Sequence, residues 1–404
     1  MVREITDVVI VGGGIVGMTT AYLLGKRGIK SVVIEKDSIG SHASGFAYGG
    51  LGADRTMGPM ALVAQEGWRL HNEFAGNLFE ETGIDIQFRF RPSLTLSFTE
   101  NESINLKNGL TLTQEERGDN SLWIDKEEAL RIEPRVSEDI IGALYNPNGA
   151  DLEPYRLMVG LTQAAEKLGT TVRHGRVIGL KANHGRIESV ILENEEIITE
   201  RVVLSMGPWS SLSSDWLGIN LSVSPLKGQI LRLEAPGAPI KISVGWSGNY
   251  ATTKPDGLLW TGTTEEHMEF DESITVAARD QITKSLIKML PSMVDARLTQ
   301  QTACLRPLSA DGLLILGMVS GWDGVYIATG AGRQGIALGP GMASIVADLI
   351  DTGSSNIPIA FGVISAQNYE QAKERALTTR KNKGAEVAKA GLEMMKLYEK
   401  YKIK

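Results

Sequence analysis

Cysteine is almost absent: Cys304 is the single one in 404 residues. One thiol cannot close an internal disulfide, and it cannot supply the grouped thiolates of a zinc finger. Histidine is scarce too. The five, at positions 42, 71, 174, 184 and 267, are scattered with no His-Glu-x-x-His pattern, which argues against a metal site. No run of about eighteen apolar residues occurs, so no membrane span is expected. The opening MVREITDVVIVGGG interrupts its apolar run with glycines and does not read as a signal peptide, so a cytoplasmic location is the expectation. Positive charge is not in excess either. A net charge of −7 speaks against a nucleic-acid partner, because nothing in the balance would neutralise phosphates. Internal repeats and low-complexity linkers are missing as well, and the 404 residues leave room for two or three ordinary domains.

What is present begins at once. Residues 7–11, DVVIV, form a short β-branched run of the kind that becomes a buried parallel strand. GGGIVGMTTAYLLGKRG then turns into a helix, and SVVIEK is a second strand ending at Glu35. In this βαβ unit Gly12 permits the tight turn, Gly14 lets a pyrophosphate approach the backbone, and Gly17 packs helix against strand. The helix N-terminus faces the anion, and Glu35 stands where a carboxylate accepts hydrogen bonds from ribose hydroxyls. Strand, helix, strand and acid in this order predict a dinucleotide site. The pattern alone does not separate NAD from FAD.

Further along, residues 55–80 read as a helix and 84–100 alternate like antiparallel strands. A helix and strands follow between 151 and 207, and short strands and turns dominate from 225 to 320. GVYIATGAGRQGIALGPGMASIVADLI is again strand, glycine loop and helix. The chain therefore opens and closes in nucleotide-type α/β units, with strand-rich insertions between. Residues 370–404 differ, carrying ten Lys and Arg against five Glu. Val387, Ala390, Met394, Leu397 and Tyr401 recur there at helical spacing, which predicts a basic helical tail. Three readings of it stand: a helix packed on its own protein, a contact to a like or unlike subunit, or a touch on a membrane surface.

Several segments together resemble the D-amino-acid oxidase superfamily of FAD proteins, and within it the glycine-oxidase and sarcosine-oxidase-like enzymes. They are VVIVGGGIVGMTTAYLLGKRGIKSVVIEK, RVVLSMGPWSSLSSDWLG, PLKGQILRLE, YATTKPDGLLWTGTTEE and LRPLSADGLLILG, in that order. The resemblance implies FAD as cofactor. It implies an α/β fold in which a Rossmann-like FAD-binding domain carries an inserted antiparallel-sheet substrate domain. The expected FAD-binding pieces are 1–83, 149–222 and 322–366, the substrate-domain pieces are 84–148 and 223–321, and 367–404 is the helical extension.

On the same resemblance the FAD contacts are Gly12, Gly14, Gly17, Glu35, Lys36, His42, Val177, Gly207, Gly330, Gly332, Gln334, Gly335 and Ile336. His42 either borders the flavin or lies on a turn surface. In relatives the helix that starts at the GAGRQG loop aims its N–H groups at the flavin pyrimidine edge, where reduced flavin carries negative charge. A substrate carboxylate would be held by Tyr250, Arg306 and Arg333, since the planar guanidinium suits a carboxylate in two-point contact and stays charged when desolvated.

This chain departs from the pattern at three places. Glu265 stands where glycine-oxidase-like sequences are apolar, and is either a partner for a substrate cation or a solvent-facing loop residue. Cys304 stands near the position at which sarcosine oxidases attach flavin covalently, or is a core residue. Trp260 stands where those enzymes carry a lysine that promotes reaction with oxygen, which leaves both oxygen and a quinone open as electron acceptor. The implied reaction is oxidation of an amino acid or N-alkyl amino acid by hydride transfer to flavin, with no protein acid or base assigned. The alternatives are oxidation of a hydroxy acid or phosphorylated alcohol, and a flavoprotein subunit that acts only with a partner.

Overall fold

Val8–Val11 is a strand with all four residues buried, and it lies inside a six-stranded sheet. The computed structural model describes residues 4–52, 56, 58–117 and 119–357, so the predicted basic tail falls outside the described residues. The sheet runs in the order Thr171–His174, Ser31–Glu35, Val8–Val11, Val202–Leu204, Val325–Thr329, Ile315–Met318. The first five strands are parallel and the last is antiparallel to its neighbour. Both faces are covered, which is why these strands read as unbroken apolar runs.

The alternation of side chains sorts the two faces. Val8, Ile10, Val33 and Val203 pack with helix residues such as Met18, Leu70, Leu157 and Met342. These belong to Ile15–Lys26, Ala61–Thr82, Pro154–Lys167 and Gly335–Thr352. Val9, Val11, Ile34 and Leu204 point the other way, onto Val177, Ile187, Val190 and Ile197 of a four-stranded sheet. A glycine-initiated βαβ unit is thus built as the sequence predicts, with the helix Ile15–Lys26 between its first two strands.

A second, eight-stranded sheet carries the strand-rich insertions. Its order is Arg297–Ser309, Val223–Glu234, Leu259–Gly262, Asn249–Thr253, Ser243–Trp246, Ser93–Ser97, Gly142–Asn146, Leu122–Asp125. Every neighbouring pair is antiparallel except Ser243–Trp246 with Ser93–Ser97. One face buries Leu96, Leu231, Val244 and Leu259 against Ile282, Leu286 and Met289.

Three features differ from the sequence expectation. The strand Ile315–Met318 pairs into the parallel sheet, so the return to that sheet precedes residue 322. The stretch 225–320 also contains the helix Val276–Met289, whose N-cap Thr275 accepts a hydrogen bond from the Ala278 amide at 3.3 Å. An unanticipated helix, Glu100–Arg117, follows Thr99, which exchanges two hydrogen bonds with Glu102 in a capping box.

Candidate active site

A cavity of about 950 Å³ is lined by both nucleotide-type segments and by the eight-stranded sheet. At the first strand–helix turn Gly12 has φ +107°, and a Cβ there would stand 2.3 Å from the Ser205 carbonyl oxygen. A Cβ on Gly17 would stand 2.0 Å from the Gly12 carbonyl oxygen, so Gly17 serves close packing and does not line the cavity. Gly14 does line it, and among the described residues, its chain neighbours aside, the one atom within 4 Å of a Cβ there is Ser44 Oγ, at 3.1 Å. The three glycines divide the work of turn, ligand approach and packing as the motif requires. Glu35 Oε2 accepts from the Gly13 amide at 2.7 Å, and its other oxygen accepts from Asp37 at 2.9 Å, which fixes the carboxylate at the cavity edge.

Lys36, His42, Val177 and Gly207 line the same cavity. Lys36 is held over the Trp209 ring at 4.1 Å and paired with Asp37. His42 bridges Asp37 at 2.7 Å and Glu272 at 3.0 Å while lying edge-on to Trp209. Gly207 has φ +55° and its carbonyl accepts from Thr329 at 3.1 Å, joining two strand ends of the parallel sheet.

The GAGRQG loop follows Val325–Thr329 and leads into Gly335–Thr352. Gly332, Gln334, Gly335 and Ile336 line the cavity, so the positive end of that helix faces into it. Gly330 does not line it. With φ +86°, and with a Cβ that would stand 2.9 Å from the Leu313 carbonyl oxygen, Gly330 makes the turn that delivers the loop.

Tyr250, Cys304, Arg306 and Arg333 gather in the same wall. Arg306 donates to Thr263 Oγ1 at 2.7 Å and to the Thr264 carbonyl at 3.2 Å, and no ion pair to it is found among the described residues. Gly228, in PLKGQ, makes this possible: a Cβ there would stand 1.9 Å from Arg306 Nη2. Burial holds the Tyr250 phenol protonated far above its ordinary pKa, and Tyr48 stacks on it at 4.0 Å. Burial also pushes the Cys304 thiol up to about 11.

Arg333 lines the cavity and is also held from outside it. Its guanidinium donates to Glu265 at 2.7 Å and to the Gly248 carbonyl at 2.6 Å, and both partners of the ion pair are partly exposed. Glu265 does not line the cavity; it sits at the rim on Arg333. Trp260 is buried away from the wall, with Arg232 at 3.9 Å and Lys254 at 5.6 Å from its ring centre. Lys254 is brought down to about 8 by burial, in spite of Asp151 at 3.5 Å. Sequence reading missed Gly13, Ser44, Tyr48, Gly228 and Thr263. Only Gly13 and Gly228 carried a signal, as glycines inside motifs already singled out.

The fold and the cavity define a dinucleotide-binding protein. The chain belongs to the FAD dependent oxidoreductase family, whose model matches residues 7–349. A model of 6,7-dimethyl-8-ribityllumazine synthase matches residues 343–399, mostly outside the described residues. The chain is 29% identical to a glycine oxidase of Geobacillus kaustophilus, over 88% of this chain and 95% of that protein. It is 26% identical to a glycine oxidase of Bacillus subtilis, over 85% and 92%. A bifunctional protein ThiO/ThiG of Nostoc is 27% identical over 92% of this chain and 56% of its own length. The crystal structure of the Geobacillus kaustophilus glycine oxidase superposes with a TM-score of 0.85 at 28% identity, covering 91% of this chain and all of that one.

The cofactor is FAD, and the residues present fit it. The approach face at Gly14 has no Cβ, a carboxylate stands at the second strand end, and a helix start closes the far wall. No cluster of metal-ligating side chains is found among the described residues, and none of their helices is long and apolar enough to cross a membrane.

Proposed function

We propose that this enzyme oxidises the C–N bond of a small amino acid or N-alkyl amino acid. The observation that carries the reading is Arg306, a guanidinium in the cavity wall with two neutral acceptors and no carboxylate partner among the described residues. Its remaining N–H groups suit a substrate carboxylate. Tyr250, kept as a neutral phenol, adds a donor beside it. Glycine-oxidase relatives of near-equal length support the substrate class.

The substrate binds as the neutral amine, with its carboxylate on Arg306 and Tyr250. Bound FAD supplies the hydride acceptor. With FAD in place, loss of a hydride from the α-carbon would be matched by closure of a C=N bond from the nitrogen lone pair and by loss of the N–H proton to solvent. Water then hydrolyses the imine to a keto or aldehyde acid and ammonia or an amine. The chain's part is to position the substrate and exclude competing orientations, which needs no titrating side chain. Glu265 occupies one side of Arg333, so a second carboxylate on the substrate would have to displace it.

FAD is held without a thioether in this reading, because a buried thiol with its pKa raised to about 11 is a poor nucleophile. Residues 1–83, 149–222 and 322–366 would hold FAD and 84–148 and 223–321 the substrate, with the boundary near 322 moved ahead of Ile315. A second reading, action with a partner that consumes the product, draws on the bifunctional relative, which carries further chain beside the matching segment.

The test is anaerobic bleaching of the flavin band by glycine, sarcosine, proline and the D- and L-amino acids. Bleaching by one of these groups is expected, and admitting air then separates oxygen from a quinone as acceptor. Bleaching only by hydroxy acids or phosphorylated alcohols would overturn the proposal. Acid precipitation should leave the flavin in the supernatant.

A further inference from the structure

The helix Gly335–Thr352 carries a proline inside it, Pro340. A proline has no N–H, so the carbonyl four residues earlier loses its helical donor. That carbonyl belongs to Ile336, the second residue of the helix, and Ile336 lines the FAD cavity. A donor comes from a different helix. His71, on Ala61–Thr82, brings Nε2 to 2.8 Å from the Ile336 carbonyl oxygen.

His71 is fully buried, and its Nδ1 has no hydrogen-bond partner among the described residues. A carbonyl only accepts, so Nε2 must carry a proton, and burial disfavours a second one on Nδ1, which leaves the neutral Nε2–H form. A buried imidazole with one nitrogen unsatisfied is an unfavourable choice for simple packing. It is explained if the other nitrogen supplies the donor that position 340 lacks. The two backbones touch around this bond: a Cβ on Gly67 would lie 2.2 Å from the Ala337 carbonyl oxygen, and one on Gly341 would lie 2.2 Å from that of Val63.

We propose that His71 is a positioning residue for the cofactor site. Its bond to Ile336 replaces the one Pro340 cannot supply and fixes the first turn of the helix where that turn forms the wall of the FAD cavity. The proposal rests on FAD binding and is independent of which substrate is oxidised.

The experiment measures FAD release from the purified holoprotein, and the flavin midpoint potential, in four variants: His71→Leu, His71→Gln, Pro340→Ala and the double variant His71→Leu with Pro340→Ala. The double variant regains an N–H at position 340 and so returns a donor to Ile336. In His71→Leu, FAD affinity should fall about tenfold, with a shifted potential. Pro340→Ala alone should stay within about twofold of the parent, and the double variant should recover most of the loss. The His71→Gln amide can still donate and should retain FAD. Should His71→Leu fail to fold, His71→Gln against His71→Asn, which falls short of the carbonyl, makes the same comparison. A double variant as impaired as His71→Leu would overturn the proposal. So would a His71→Leu protein that loses thermal stability but keeps parental FAD affinity and potential.

Discussion

Gly228 has no side chain, and the space its Cβ would need is filled by the Arg306 guanidinium. The strand backbone accepts alanine there, so Gly228→Ala should fold and displace Arg306. We expect kcat/KM to drop roughly thirtyfold, mainly through KM, as a charge-assisted contact worth about 2 kcal/mol is lost. An unchanged KM would remove Arg306 from the site. Glu265 makes a smaller prediction. Its pair with Arg333 is exposed, so Glu265→Gln should change KM by less than about fivefold. The direction should depend on the substrate, upward for side chains with a positive charge and downward for those with a second carboxylate. Equal shifts for every substrate would show that Glu265 has no part in selection. At this scale the dinucleotide glycines and Glu35 were legible because turn and anion geometry admit few residue types. The Arg333–Glu265 pair was not, since 68 residues separate its members and no local pattern joins them.

Elements were legible where period and punctuation agreed. The βαβ unit combines buried β-branched runs with glycines at fixed offsets, and both ends of the chain's described body repeat that grammar. The helices Glu100–Arg117 and Val276–Met289 were missed although each carried a start signal: Thr99 with Glu102, and Thr275 three residues before Ala278. In the second, Ala278, Ile282, Leu286 and Met289 are the buried stripe, spaced for one helix face. Strand-like neighbours masked it. Thr275 also accepts from Gln229 Nε2 at 3.1 Å and donates its own N–H to Gln229 Oε1 at 2.9 Å, so the cap ties this helix to the PLKGQ strand. Thr275→Ala should lower stability by about 1 kcal/mol, read as a lower urea midpoint with an unchanged slope. Because Gln229 points to the opposite strand face from Gly228, the flavin spectrum should not move. A spectral change would mean that cap and cofactor wall are coupled.

At the scale of the molecule, the cavity lies where two layers with different logic meet. The parallel sheet supplies strand ends and helix starts, the antiparallel sheet supplies the arginine and tyrosine, and the last helix closes the wall between them. What holds that helix in place should be visible in the stability of the whole chain. Burial pushes His71 down from the ordinary imidazole range to about 4, with the Ile336 hydrogen bond acting the other way and no charged group contributing. The folded state therefore refuses a proton that the unfolded chain accepts between about pH 6.5 and pH 4. Stability from this residue is complete above pH 6.5, falls as pH drops through that window, and changes no further below about pH 4. One pKa unit corresponds to about 1.4 kcal/mol, so the parent should lose roughly 2 kcal/mol between pH 7 and pH 5 from His71 alone. Carboxylates titrating in the same range affect parent and variant equally. Urea unfolding of the holoprotein at the two pH values, compared with His71→Gln, isolates the histidine: the variant should lack that part of the pH slope. Equal slopes in both proteins would mean that His71 takes up its proton without opening the contact between the two helices.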